Sequence, residues 1–109
     1  ETLNGYLEDV SSVETVHIPV PYAGTISKII TVLEGAISSA DATVDVKNSS
    51  AASMGTLTIT QSGSAAGDVD TLSPSTNNTV TADSFITVSS NGASTNQAKL
   101  RFTIVLDRS

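Results

Sequence analysis

The stretch His17-Ile18-Pro19-Val20-Pro21-Tyr22-Ala23-Gly24-Thr25-Ile26-Ser27-Lys28-Ile29-Ile30 decides the fold. An alternating strand carrying Val16, Ile18 and Val20 runs into a Pro-Tyr-Ala-Gly turn, and a second apolar strand leaves it at once. Pro19 and Pro21 remove backbone donors, so the first strand must end there or lie at the edge of a sheet. Gly24 is placed to take the positive φ that a sharp corner needs. The reading is an antiparallel β-domain that turns a corner early in the chain.

Working outward, the same pattern continues to the end of the 109 residues. Strands are expected at Val13–Val20, Thr25–Leu33, Thr43–Lys47, Gly55–Thr60, Val69–Leu72, Asn78–Thr81, Phe85–Ser89 and Lys99–Leu106. Turn-rich segments at 34–41, 48–54, 62–67, 73–77 and 90–96 separate them. Alternation is strict in Val44/Val46, Leu57/Ile59, Ile86/Val88 and Leu100/Phe102/Ile104/Leu106, a pattern that buries one face and wets the other. No segment carries a helical period of ten residues, although Leu33–Ala40 has room for one helical turn. About eight short strands with regular turns predict an all-β antiparallel sandwich, jelly-roll-like by strand count.

Thr25–Leu33 has apolar residues on both faces, with Ile26, Ile30 and Val32 set against Ile29 and Leu33. Such a strand is expected to be covered twice, by the core and by a neighbouring subunit. Residues 1–12 show no clear period, and Leu3, Tyr6, Leu7 and Val10 are spaced as on one turn of helix, weakened by Gly5. They read as an N-terminal arm that docks on a partner or on its own body, with the domain proper at 13–109.

Composition narrows the function. The chain has no cysteine, so neither disulfides nor thiolate sites hold it together. With two Phe, two Tyr and no Trp, the core must be aliphatic, while 17 Ser and 15 Thr suit turns and exposed strand positions. A net charge of −6 with five scattered cations argues against nucleic acid and against anionic membrane surfaces. No apolar run reaches the roughly 20 residues of a membrane-spanning helix. The opening Glu1 in place of Met is expected of a processed or trimmed start.

No residue set converges on catalysis. His17 is the only histidine, and its place in an alternating strand puts it on an outward or interface face. General acid–base use is the lesser alternative, and the Ser-His-Asp inventory lacks a nucleophile elbow. Asp68 and Asp70, with Asp41, Asp45 and Asp83, offer hard oxygen ligands, but calcium-loop spacing is missing. A glycosidase pair would want aromatic platforms that the chain cannot supply. Gly63-Ser64-Ala65-Ala66-Gly67 has no following Lys and reads as a loop and not a phosphate cradle. The expectation is a non-enzyme with no cofactor and no metal.

Two segments carry a resemblance: Pro19-Val20-Pro21-Tyr22-Ala23-Gly24-Thr25-Ile26 and Gln61-Ser62-Gly63-Ser64-Ala65-Ala66-Gly67-Asp68-Val69-Asp70. Between them stand Val32-Leu33-Glu34-Gly35-Ala36-Ile37 and Asp41-Ala42-Thr43-Val44. Over roughly residues 13–106 the chain resembles the head decoration or head-fibre proteins of tailed bacteriophages, small β-sandwiches encoded beside the major capsid protein. The resemblance implies a jelly-roll-like body on the outer capsid surface, assembled in the host cytoplasm, trimeric, and bound to the lattice of the major capsid protein. No catalytic residues come with it. Contact candidates, read from the residues themselves, are Leu3, Tyr6, Leu7 and Val10 of the arm, and His17, Tyr22 and Ile29 of the body. The alternative is a carbohydrate-binding or adhesin module of a phage fibre or bacterial surface, with glycan as partner.

Overall fold

A computed structural model describes residues 1–109. It contains nine strands and no helix: β1 (Thr2–Leu7), β2 (Val13–Val20), β3 (Gly24–Leu33), β4 (Ala42–Lys47), β5 (Ser53–Ile59), β6 (Val69–Leu72), β7 (Thr79–Val80), β8 (Ser84–Asn91) and β9 (Leu100–Arg108). They form two antiparallel sheets packed face to face. Sheet A has the order β1-β9-β3-β6, with β7 also paired to β3, and sheet B has the order β2-β8-β4-β5. The protein is an antiparallel β-sandwich.

The ladders nest inside one another. β1 pairs with β9, β2 with β8, β3 with β6 and β7, and β4 with β5. The chain therefore resembles one long hairpin rolled up so that successive pairs alternate between the sheets. β6 and β7 are two halves of one edge, aligned on Ile29–Val32 and Gly24–Thr25 of β3, with the Pro74 segment breaking the strand between them.

Alternation places the core as expected. Leu100, Phe102, Ile104 and Leu106 point inward from β9, facing Val44 and Val46 of β4 and Ile86 and Val88 of β8 in one apolar cluster. Ile26, Ile29 and Leu33 are all buried, although they do not share one parity. A register shift between Ile26 and Lys28 resolves this, because the extra residue of a β-bulge changes which side chains face inward. Ile30 and Val32 consequently turn to the outer face, where they are half-buried. The expected grouping of Ile26 with Ile30 and Val32 is corrected accordingly.

Residues 1–12 are not an arm. Thr2–Leu7 is the edge strand of sheet A, paired residue for residue with Val105–Leu100. Leu3, Leu7 and Val10 belong to the core cluster. Gly5 made the segment look irregular, but it fills an inward position between Leu3 and Leu7. A Cβ there would come within 2.8 Å of the Phe102 ring and 2.9 Å of Ile18. The strand is followed by a turn built on Asp9, whose carboxylate accepts hydrogen bonds from the Ser11 amide (2.9 Å), the Ser11 and Ser12 hydroxyls (2.6 and 3.1 Å) and the Ala98 amide (3.3 Å). The Ser11 hydrogen bond leads in holding the Asp9 carboxyl below its ordinary value.

Leu33–Ala40 makes no helical turn. Ser38 forms an antiparallel bridge to Thr95, and the Ser64 hydroxyl both accepts from the Ile37 amide and donates to the Ile37 carbonyl, each at 3.0 Å. The glycine-rich 61–67 segment is thereby a pin across the end of the sandwich, with the Gly67 amide on the Leu33 carbonyl at 2.7 Å.

The Pro-Tyr-Ala-Gly corner joins the edge strand β2 of sheet B to β3 of sheet A. Gly24 does not take the left-handed conformation expected of it; the glycines with positive φ are Gly55, Gly63, Gly67 and Gly92. Its need for glycine is steric, since a Cβ would run into the Asp107 carbonyl oxygen of β9. The Ser109 amide donates to the Ala23 carbonyl at 3.1 Å, and the Arg108 guanidinium lies 3.7 Å from the Tyr22 ring centroid. The corner is closed by the C-terminal end of the last strand. Gly24→Ala should therefore lower stability by about 2 kcal/mol or more, as overpacking against backbone does, whereas Gly63→Ala, which meets open space and bears only the strain of a φ of +74°, should lose about 1 kcal/mol. Urea denaturation of the two variants checks the ranking.

Candidate functional site: the outer faces of the two sheets

The residues singled out from the sequence separate into two groups. Leu3 is 8 % exposed, Leu7 and Val10 are fully buried, and Ile29 is 1 % exposed, so all four are core and none offers a contact surface. Tyr6, His17 and Tyr22 are exposed, but the fold distributes them. Tyr6 stands on the outer face of sheet A, His17 on the outer face of sheet B, and Tyr22 at the corner between them.

On sheet A the registers set out the outer face in rows. Tyr6 of β1 lies opposite Arg101 of β9, Arg101 opposite Val32 of β3, and Val32 opposite Val69 of β6. The next row runs Asn4, Thr103, Ile30, Thr71. Tyr6 is 47 % and Val69 60 % exposed, high values for residues of their size. The Arg101 guanidinium is held by Glu34 at 2.8 Å, and the Lys99 ammonium sits 4.7 Å from the Tyr6 ring centroid. A shallow open depression of about 530 Å³ lies over this face, bounded by Tyr6, Ile30, Val32, Arg101 and Thr103. Ile30, Val32 and Val69 were not among the expected contact residues. The Ile29-Ile30 doublet was the available signal, and the bulge on β3 decides which isoleucine turns outward.

The outer face of sheet B is a different surface. Inward of Val13, which is 79 % exposed on the edge strand β2, it is a field of hydroxyls: Thr15 opposite Ser89, Ser89 opposite Asp45, Asp45 opposite Thr56, and Thr43 opposite Thr58. Thr15 and Ser89 hydroxyls pair at 2.9 Å, and the Ser53 hydroxyl donates to Asp45 at 2.6 Å. One weak ion pair, Lys47–Asp45 at 3.8 Å, runs along β4 there. At its edge the His17 ring leans on Phe85, centroids 5.3 Å apart and planes at 56°, an aromatic contact that accounts for both side chains on a wet surface.

Three of the carboxylates offered as ligands serve as structural acceptors instead. Asp41 accepts from the Gln61 amide at 2.8 Å, Asp68 from the Ala65 amide at 2.9 Å, and Asp45 serves Ser53 and Lys47. Nowhere do three His, Asp or Glu side chains gather in a way that could hold a metal ion. Asp83 lacks such a side-chain partner, and so does Asp70. Partial burial on β6, with the neighbouring Asp68 charge adding to it, raises its carboxyl above the ordinary 3.8.

No protein-family model matches the chain, and no curated protein matches it.

The Asp70 shift has a definite sign. A carboxyl whose pKa is raised in the folded state favours folding when protonated, and this contribution is lost as pH rises through the raised value. Asp70→Asn should therefore raise the thermal midpoint at neutral pH and leave it unchanged well below pH 3.8. Melting curves across that range, followed by circular dichroism, read the difference.

Proposed function

We propose that the chain is a structural virion protein that decorates the exterior of a bacteriophage capsid by binding the major capsid protein. The reading also takes the sandwich as a jelly roll, supported by the nested ladders and by two sheets ordered β1-β9-β3-β6 and β2-β8-β4-β5. The two segments that carry the resemblance are the corner at 19–26 and the pin at 61–70, both of them architectural.

The observation that carries the reading is the outer face of sheet A. Tyr6, Arg101, Val32 and Val69 form one cross-strand row, with Ile30 in the next. Tyr and Arg beside exposed aliphatic side chains are the composition of protein contact surfaces. A sheet face suits a broad protein partner, whereas sugar binding draws on aromatic platforms, and Tyr6 is the sole aromatic of this face. On a repeating lattice a modest contact suffices, because many copies are held at once.

The test uses capsids of the encoding phage stripped of minor proteins, with binding measured by co-sedimentation. Val32→Glu and Val69→Glu should each weaken binding tenfold or more while the melting temperature stays within a few degrees, since both side chains point away from the core. Thr58→Glu, on the outer face of sheet B, should leave binding intact. Undiminished binding by the valine variants would remove the face from the reading. Glycan-array binding with no capsid affinity would favour the adhesin alternative.

A further inference from the structure

A sandwich has four edge strands, and each must avoid pairing with another chain. Three edges here are protected. β2 carries Pro19 within the strand, Pro21 just beyond it, and the charged Glu14. β5 is bulged where its register against β4 shifts, at Gly55 with φ +145°, and its Ser53 carbonyl is capped by the Asn77 side-chain amide at 2.9 Å. The remaining edge is divided into a four-residue β6 and a two-residue β7. β1 has none of these devices. Thr2-Leu3-Asn4-Gly5-Tyr6-Leu7 contains no proline and no charge, and charges stand only beyond its ends, at Glu1 and Glu8.

The phase of the β1–β9 ladder identifies which backbone groups are free. The Leu106 amide donates to the Glu1 carbonyl at 2.8 Å, and Thr2 lies opposite Val105. In an antiparallel ladder hydrogen-bonded and non-bonded pairs alternate. The amides and carbonyls of Leu3, Gly5 and Leu7 therefore face β9, and those of Thr2, Asn4 and Tyr6 face open water. The close side-chain contact of a non-bonded pair agrees, with the Thr103 hydroxyl donating to the Asn4 side-chain oxygen at 2.7 Å. The Glu8 amide is already taken by the Glu14 carboxylate at 3.1 Å.

We propose that a second copy of this chain pairs with this edge, β1 against β1 and antiparallel, with Asn4 on the twofold axis. The register follows from two constraints. Opposed residues in a sheet share a face, so outward Thr2, Asn4 and Tyr6 must meet one another and not Leu3, Gly5 or Leu7. Only the Asn4-centred alignment then matches all three free residues: Thr2 with Tyr6, Asn4 with Asn4, Tyr6 with Thr2. Sliding one way leaves the Tyr6 groups unmatched, and sliding the other sets Thr2 against Glu8, whose amide is occupied. The result is an isologous contact that closes at two copies and joins the two A sheets into one continuous sheet. It replaces the threefold assembly that the resemblance implies, and it does not depend on the capsid reading.

The test exploits the absence of native cysteine. Cα atoms of a hydrogen-bonded antiparallel pair lie about 5.5 Å apart, within disulfide reach. Asn4→Cys should give a disulfide-linked dimer on mild oxidation. Thr2→Cys should not, because its copy on the other strand lies about four residues, or ~13 Å, along the ladder. Light scattering of the parent should give twice the chain mass, falling to the monomer for Asn4→Pro, which deletes an amide the monomer does not use. Asn4→Lys should also give the monomer, by setting two like charges opposite each other, and it guards against a folding defect specific to proline. A monomeric or trimeric parent, or equal cross-linking at positions 2 and 4, would overturn the proposal.

Discussion

The sandwich depends on the hydrogen bonding of the last strand between the first and the third. β9 is flanked by β1 and β3, and its inward residues Leu100, Phe102, Ile104 and Leu106 are all buried. Sheet A therefore cannot close until segments about a hundred residues apart in the chain have met. Every other ladder lies inside this one, so most contacts are long-range. Topology of this kind makes folding slow relative to helical proteins of the same size, because loop closure must precede the reward of pairing. The pinning interactions at the sheet ends, Asp9 on Ala98 and Ser38 on Thr95, fix loops that would otherwise add to that entropy.

Strands with regular alternation were legible because burial has a period of two. β2 and β6 fall where the pattern places them, and β9 extends only two residues further. β1 was not legible, and the reason is local. Its inward positions read Leu-Gly-Leu, with a Phe102 ring supplied from the neighbouring strand in place of a side chain at Gly5. Seen without its neighbour, the segment shows two leucines four apart and imitates a helix. The Gly24 corner is the opposite case: the glycine is plain in the sequence, but its cause lies in the approach of Asp107, a residue 83 positions away in the chain.

The surface was harder to read than the core. Tyr6, His17 and Tyr22 are exposed, yet alternation alone could not say which of two adjacent isoleucines on β3 faces outward. A single inserted residue decides it, and nothing in that stretch distinguishes a bulged strand from a regular one. The high Ser and Thr content has a plain structural use. It covers the outer face of sheet B, where hydroxyls satisfy one another across strands, and it supplies loop pins such as Ser64.

The ladder between β1 and β9 also has a mechanical meaning. Thr2 lies opposite Val105 and Leu7 opposite Leu100, so both chain ends emerge at the same end of that ladder. Tension applied through the two termini loads the outermost pair first and opens the ladder as a zipper, one pair at a time. Tension applied across the sandwich, from its far loops to its termini, loads the hydrogen bonds of a strand together in shear. The direction in which such a body is pulled thus matters more to its endurance than the depth of its core.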